Sequence, residues 1–266
     1  MHSVKNPPAI IKTNTDEFYF PSRLIYRIES ASSVLNTLEK LRCVSKHPTQ
    51  ERWLIECNHE ALEIHGWNEL YTKAIRHQDP IIIGIIKFTG RSSMQVYARA
   101  FGRVTPLLKL IDKFVSRRVA FATHHDVCFK LMTAHQKDEQ VTPEDVFADE
   151  SKIHYSENLR QVDQWEEKTR QTGKDYSRQI KALFDKEFRE TASHQSCIQD
   201  LERKRLEVFY ADGAEEYSRM MQMQEMMALA RYFAGGQLNP LKFFEQLFEN
   251  NGKPITDFQA FLNGSR

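Results

Sequence analysis

Two short stretches gather the side chains that metal and nucleophilic chemistry use. CNHEALEIH carries Cys57, His59 and His65, and THHDVC carries His124, His125, Asp126 and Cys128. Structural zinc is held by such residues in fours, all brought to one point. Cys57 and His59 do not share a helix face, and no four-ligand spacing appears. A nucleophile at Cys128 would need a signature around it; none is there, and a buried thiol is the expectation. The P-loop, dinucleotide-binding, zincin and nucleophile-elbow patterns are all missing. The reading is of a protein that is not an enzyme, with no catalytic residue, no metal and no cofactor.

The other chemistry on offer is charge. The chain of 266 residues has a net charge of +1, with 37 Lys and Arg against 36 Asp and Glu. Residues 87–118 nevertheless hold eight Lys/Arg and a single acid, Asp112, a local +7, so the remainder sums to −6. A basic island in a mildly acidic chain points to a polyanion as partner. The island begins inside IIIGIIKFTGRSS, Ile81 to Ser93, an apolar strand that turns basic at its end. At a period of two, Ile86 and Phe88 share one side, while Ile85, Lys87 and Thr89 share the other with Arg91 next in that row.

Stepping outward, Ser92 or Ser93 is placed to cap a helix whose inward residues are Met94, Val96 (or Tyr97), Ala100 and Phe101. Gly102 stops it, and Thr105-Pro106 starts a second helix with Leu107, Leu108, Ile111 and Val115 on its apolar face. Gly84 inside the strand marks a bend or a close backbone approach. A strand, a helix, a glycine turn and a second helix resemble a ribbon-helix-helix DNA-binding motif, here at 81–118. In that motif two subunits pair their strands and lay the ribbon in the major groove. The resemblance implies that Lys87, Thr89 and Arg91 contact bases. It assigns Ser92, Arg103, Thr105, Arg117 and Arg118 to phosphates, and Ile86, Phe88, Ile111 and Val115 to a dimer core.

The layout from 20 to 125, with ERWLIECNHEALE and YARAFGRV…DKFVSRRVAF, looks like the AcaB-type regulators of conjugative plasmids and integrative conjugative elements. Thr105-Pro106 departs from that family's acidic helix start, and Pro106 removes one N–H from the phosphate contact. The resemblance implies a homodimeric transcriptional regulator of double-stranded DNA, an activator of transfer genes. The alternative is a non-enzymatic scaffold, or an accessory factor of a DNA-processing complex.

Elsewhere the text divides simply. Residues 1–17 read as a flexible leader, and 18–137 as an α+β domain that contains the motif. The span 138–150, rich in acids, reads as a linker or loop, and 151–266 as a helical C-terminal region that offers a surface to a protein partner. PSRLIYRIES alternates as a strand, and SASSVLNTLEKL reads as a short helix. Helices are expected over ERWLIECNHEALEIH, AFATHHDVCFKLMTAH, the Ile180–Leu183–Phe184–Phe188 stripe and the Ile198–Leu201–Val208 stripe. The methionines in MMQMQEMMALARYF read as helix core rather than as a partner groove. NPLKFFEQLFEN reads as a last helix. Scattered cysteines and the lack of a signal-like or membrane-length apolar run fit a cytoplasmic protein that does not enter a membrane. The fold class expected is mainly α with a small β component: a ribbon-helix-helix motif embedded in a larger helical α+β body.

Overall fold

Alternation, more than helical periodicity, organises the middle of the chain. A computed structural model describes residues 10–61, 81–132, 141–193, 199–206, 210 and 213–233. Its strands are β1 (Ser22–Ile28), β2 (Val44–Lys46), β3 (Trp53–Glu56), β4 (Ile82–Phe88), β5 (Ser93–Ala98), β6 (Ala120–Cys128) and β7 (Leu201–Arg205). They form one antiparallel sheet of seven strands, in the order β2-β3-β4-β5-β1-β6-β7. The expected mainly α fold is thereby corrected: the sheet is the body, and helices clothe it. Those described are α1 (Ala31–Leu38), α2 (Val104–Phe114), α3 (Pro143–Val146), α4 (Glu157–Thr172), α5 (Ser177–Ser193) and α6 (Ala214–Phe233).

The strand at β1, the helix at α1 with Ser30 as its cap, the strand at β4 and the helix at α2 all form where the sequence suggests. The segment after β4 does not. Gly90 takes a φ of +77°, a left-handed conformation that glycine adopts without penalty. The Thr89 N–H donates to the Ser93 carbonyl at 2.9 Å, closing a hairpin. SMQVYA then runs back as β5, with Met94, Val96 and Ala98 buried on one face. This overturns the ribbon-helix-helix motif. β4 is hydrogen-bonded along both edges, to β3 with Trp53 opposite Ile86 and to β5 with Val96 opposite Ile86. No edge of β4 is left for a second copy of itself. Ile86, Ile111 and Val115 are buried in the chain's own core, and Phe88 packs against it, so these four do not form a dimer core.

Other helical expectations also become strands. Trp53–Glu56 is β3, and a helical turn begins only at His59, where Asn58 Oδ1 accepts from the Ala61 N–H at 3.0 Å. Ala120–Cys128 is β6, and Leu201–Arg205 is the edge strand β7. Of the stretches that carry the family resemblance, WLIE forms β3 and RRVAF runs from the turn after α2 into β6. The acidic stretch, expected to be a linker or loop, packs from residue 141 on: Thr142 and Asp145 form a capping box around α3, and Phe147 is buried under the sheet. The leader packs too from residue 10, where Lys12 bridges Phe18 and Thr15 is buried. Expectations for 62–80, 133–140, Ile198, Val208 and the last helix at 239–250 fall outside the described residues.

Each face of the sheet has its own core. α1, α2 and α6 cover the first, over Leu24, Tyr26, Ile28, Ile55, Ile86 and Val96. α2 lies so close that a Cβ on Gly84 would sit 2.8 Å from Leu107 Cδ2; the close approach read from the sequence is real. Met221, Ala228 and Leu229 of α6 are buried in this core and Met220 packs against it, while Met223 is 39% exposed. The second face carries a smaller core of Ile85, Tyr97, Cys128, Phe147 and Ile153. Beside it lies a belt of ion pairs that holds α4 to the sheet.

Candidate nucleic-acid interface

The surface of interest is one end of the sheet, where two turns flank the last residues of β1. The Ile28 N–H donates to the Ser92 carbonyl at 2.9 Å, and the Glu29 N–H to the Val119 carbonyl at 2.9 Å. The β4–β5 turn and the loop between α2 and β6 are thus held on either side of one strand, about 10 Å apart by two strand spacings. The second turn is tight because the Ser116 carbonyl accepts from both Val119 (2.7 Å) and Ala120 (3.0 Å). That leaves Arg117 and Arg118 at its exposed tip. Thr89, Arg91 and Ser92 are exposed on the first turn.

Five of the eight candidate contacts therefore assemble on one edge: Thr89, Arg91, Ser92, Arg117 and Arg118. Arg91 and Arg118 make no ion pair among the described residues. Arg117 is partly engaged, with Nε 2.9 Å from Asp112 Oδ2 and its guanidinium over the Tyr210 ring. Lys113, exposed in the last turn of α2, belongs to the same edge and was not singled out by the sequence. Its place at a helix end beside a basic turn is the signal that points to it. Among the described residues, Glu29 and Asp112 are the acids at this edge.

The other three candidates are elsewhere. Lys87 is half-buried on the second face, toward Asp145. The Asp145 carboxyl is held below its usual range by hydrogen bonds from Thr142, with Lys87 adding to the effect. Arg103 is 2% exposed: Nε meets Glu17 Oε2 at 2.9 Å, Nη1 the Ile82 carbonyl at 2.7 Å and Nη2 Thr15 Oγ1 at 2.9 Å. It ties the segment around residue 15 to the sheet and cannot reach a phosphate. Thr105 is buried in the first turn of α2, one residue inside the helix rather than at its cap.

The histidine stretch resolves into two separate roles because β6 alternates. His125 points into the first core, its Nδ1 against the Tyr217 hydroxyl. His124 and Asp126 face the other way. Asp126, fully buried, accepts from Arg23 Nε (2.8 Å) and Nη2 (2.5 Å), and from Arg203 Nε (2.7 Å) and Nη2 (2.9 Å). Glu150 pairs with both arginines. His124 Nε2 lies 3.1 Å from Asp163 Oδ2, and Arg205 joins Asp163 and Glu166 at 2.7 Å each. Every charge in the belt has a counter-charge, and the Asp126 carboxylate is saturated by four donors. These pairs fasten the sheet to α4 through Asp163 and Glu166, and to the segment at Glu150 through Arg23 and Arg203. Cys43, Cys57 and Cys128 are buried, and burial raises their thiols to about 12, 11 and 11, which keeps them protonated. Among the described residues no three metal-ligating side chains converge, and no helix is long and apolar enough to cross a membrane. No family model, curated protein or solved structure matches the chain.

Proposed function

We propose that the protein is a non-enzymatic DNA-binding accessory factor that grips the phosphate backbone with the two turns at the basic end of its sheet. The observation that carries this reading is the flanking of β1 by the 89–92 turn and the 116–119 loop. It brings Arg91 and Arg118, far apart in sequence, to one exposed edge. Duplex DNA presents about one negative charge per 1.7 Å along its axis, so two arginine-bearing turns about 10 Å apart each find a phosphate. Thr89 and Ser92 add hydroxyl donors of the kind that commonly meet phosphate oxygens. β4 is paired on both sides, so no ribbon is free to enter the groove, and the contact is one of backbone recognition rather than base reading.

The test is binding of a mixed-sequence duplex, followed by fluorescence anisotropy across a salt series. Each phosphate contact contributes about 0.9 to the slope of log affinity against log salt. The double variant Arg91→Glu, Arg118→Glu should bind weakly and lower that slope by about two contacts' worth. Lys181→Glu, on exposed α5 away from the edge, should change little. An unchanged affinity in the double variant, or no binding by the wild type at low salt, would sink the proposal.

A further inference from the structure

The second face of the sheet is covered at one end and open at the other, and strand register shows where the cover stops. Across β4, β5, β1 and β6 the row Ile85, Tyr97, Arg23 and Asp126 is buried, with Phe147 over Arg23. The next row, Lys87, Gln95, Ile25 and His124, is half-buried. In the last row Ser93 and Phe121 are half-buried and Arg27 between them is exposed. Rows lie about 7 Å apart along the strands. The last one adjoins the basic edge, because Ile28 and Glu29 are the residues that bond to the two turns.

What lies open there differs from what a phosphate backbone needs. Ile25 and Phe121 are apolar. The Phe121 ring stacks on Tyr210 at 4.6 Å, and the Arg117 guanidinium lies 4.5 Å over Tyr210, so a stacked column runs from the edge onto β6. Gln95 Oε1 accepts from the Tyr97 hydroxyl at 2.5 Å. That bond orients the amide, and its NH2 makes no hydrogen bond among the described residues. The Arg27 side chain makes no ion pair or hydrogen bond among the described residues. Glu167 of α4 lies within its electrostatic reach but is bonded by Arg170 and Gln171. Lys87 is answered by Asp145 and is left out of the count. An apolar floor, an aromatic ring, an amide donor and a guanidinium suit a nucleotide whose base is unpaired. Bases inside a duplex are closed off in the stack and cannot use such a floor.

We infer that the open end of the second face holds a short single-stranded DNA segment that leaves the duplex gripped at the edge. This rests on the DNA reading proposed above and narrows its target to DNA with an unpaired stretch. Bases lie on Ile25 and Phe121, the Gln95 amide donates to a base edge, and Arg27 meets the phosphate beside them. Stacking and backbone contacts of this kind tolerate any sequence.

Fluorescence anisotropy on the full chain tests it with three probes. They are a blunt mixed-sequence duplex, that duplex lengthened by about six base pairs, and that duplex with a tail of about six thymidines at a 3′ or a 5′ end. One tail polarity should bind about tenfold tighter than the lengthened blunt duplex. Arg27→Gln, Gln95→Ala and Phe121→Leu should each bind the blunt duplex as the wild type does and lose most of the tail's gain. Arg27→Gln alters an exposed side chain, and Phe121→Leu keeps apolar bulk against Tyr210, so the fold should survive both. A tail worth no more than added base pairs, or a gain kept in all three variants, would overturn the inference and leave the duplex reading standing. A wild type that binds none of the probes at low salt would sink both.

Discussion

Lowering the pH from neutrality tests the joint between β6 and α6, because that joint contains a buried histidine. His125 is fully buried, its Nδ1 against the Tyr217 hydroxyl, and its Nε2 has no hydrogen-bond partner among the described residues. Burial depresses the imidazole from 6.5 to about 3; Asp126 opposes the shift and Lys204 adds to it. Between those two values the unfolded chain binds the proton and the folded chain does not. The contribution to stability is therefore fully present above pH 6.5 and is lost as the pH falls toward 3. Each pH unit inside the window is worth about 1.4 kcal/mol, so a fall from 6.5 to 4 should remove about 3 kcal/mol. For a domain stable by roughly 5–15 kcal/mol that is a visible fraction.

The assay is urea unfolding followed by tryptophan fluorescence at about pH 7, 5.5 and 4, on the wild type and on His125→Leu, Tyr217→Phe. The double change removes the titrating ring together with the hydroxyl that meets it. Other acid-sensitive carboxylates are common to both proteins and cancel in the difference. The wild-type advantage should shrink by about 3 kcal/mol between pH 6.5 and 4. A difference that stays flat with pH would refute the reasoning: the ring would then be reachable by water or already free to protonate.

Three further perturbations follow from the same packing. Glu225 on α6 is pushed up to about 7 by burial, with Glu17 adding to it, so the folded chain holds its proton longer than the unfolded one. Stability from this group should fall as pH rises from 4.5 to 7, opposite in sign to His125, and Glu225→Gln should flatten that part of a melting-temperature profile. Asp126→Asn leaves Arg23 and Arg203 short of a counter-charge and should cost about 3–5 kcal/mol, read from the urea midpoint. Gly84→Ala sets a methyl 2.8 Å from Leu107 and should cost about 1–3 kcal/mol; adding Leu107→Ala makes room, so the double change should cost less than the sum by calorimetric melting.

What the sequence makes legible here is local. β1 and α1 announce themselves through alternation and a serine cap, and β4 through an unbroken apolar run. Residues 93–101 mislead for a definite reason. Met94 and Val96 fit a strand at period two, while Met94, Tyr97, Ala100 and Phe101 fit a helix. Six residues of strand are too few to separate the periods. What decides is non-local: β5 fills the gap between β4 and β1, with Val96 opposite Ile86 on one side and Leu24 on the other. The same holds for β6, whose histidines and cysteine read as a helical cluster until pairing with β1 and β7 turns them to alternate faces. β7 is further hidden, because LERKR has little apolar content and is held at the edge by its arginines' ion pairs.

The candidate site shows the same limit in electrostatic form. A linear count finds the basic island at 87–118, yet it cannot say which of its cations meet solvent. Arg103 is consumed by Glu17, Lys87 faces Asp145 and Arg117 leans on Asp112, while Arg91 and Arg118 stay exposed. Glu150, Asp163 and Glu166 pair with Arg23, Arg203 and Arg205 across the second face, while Asp112 takes Arg117 at the edge itself. Arg23 and Arg27 make the point within one strand. They are the same residue type on the same face of β1, two alternations apart. Arg23 stands opposite Asp126 and is 2% exposed; Arg27 stands opposite Phe121 and is exposed. Parity puts both on one face, and what separates them is what lies there: Asp126 across the strand with Glu150 and Phe147 over Arg23, and Phe121 across the strand from Arg27 beyond a register shift. The surface charge of this end is thus set by strand register, which is why the edge takes shape only once β1 is paired with β5 and β6.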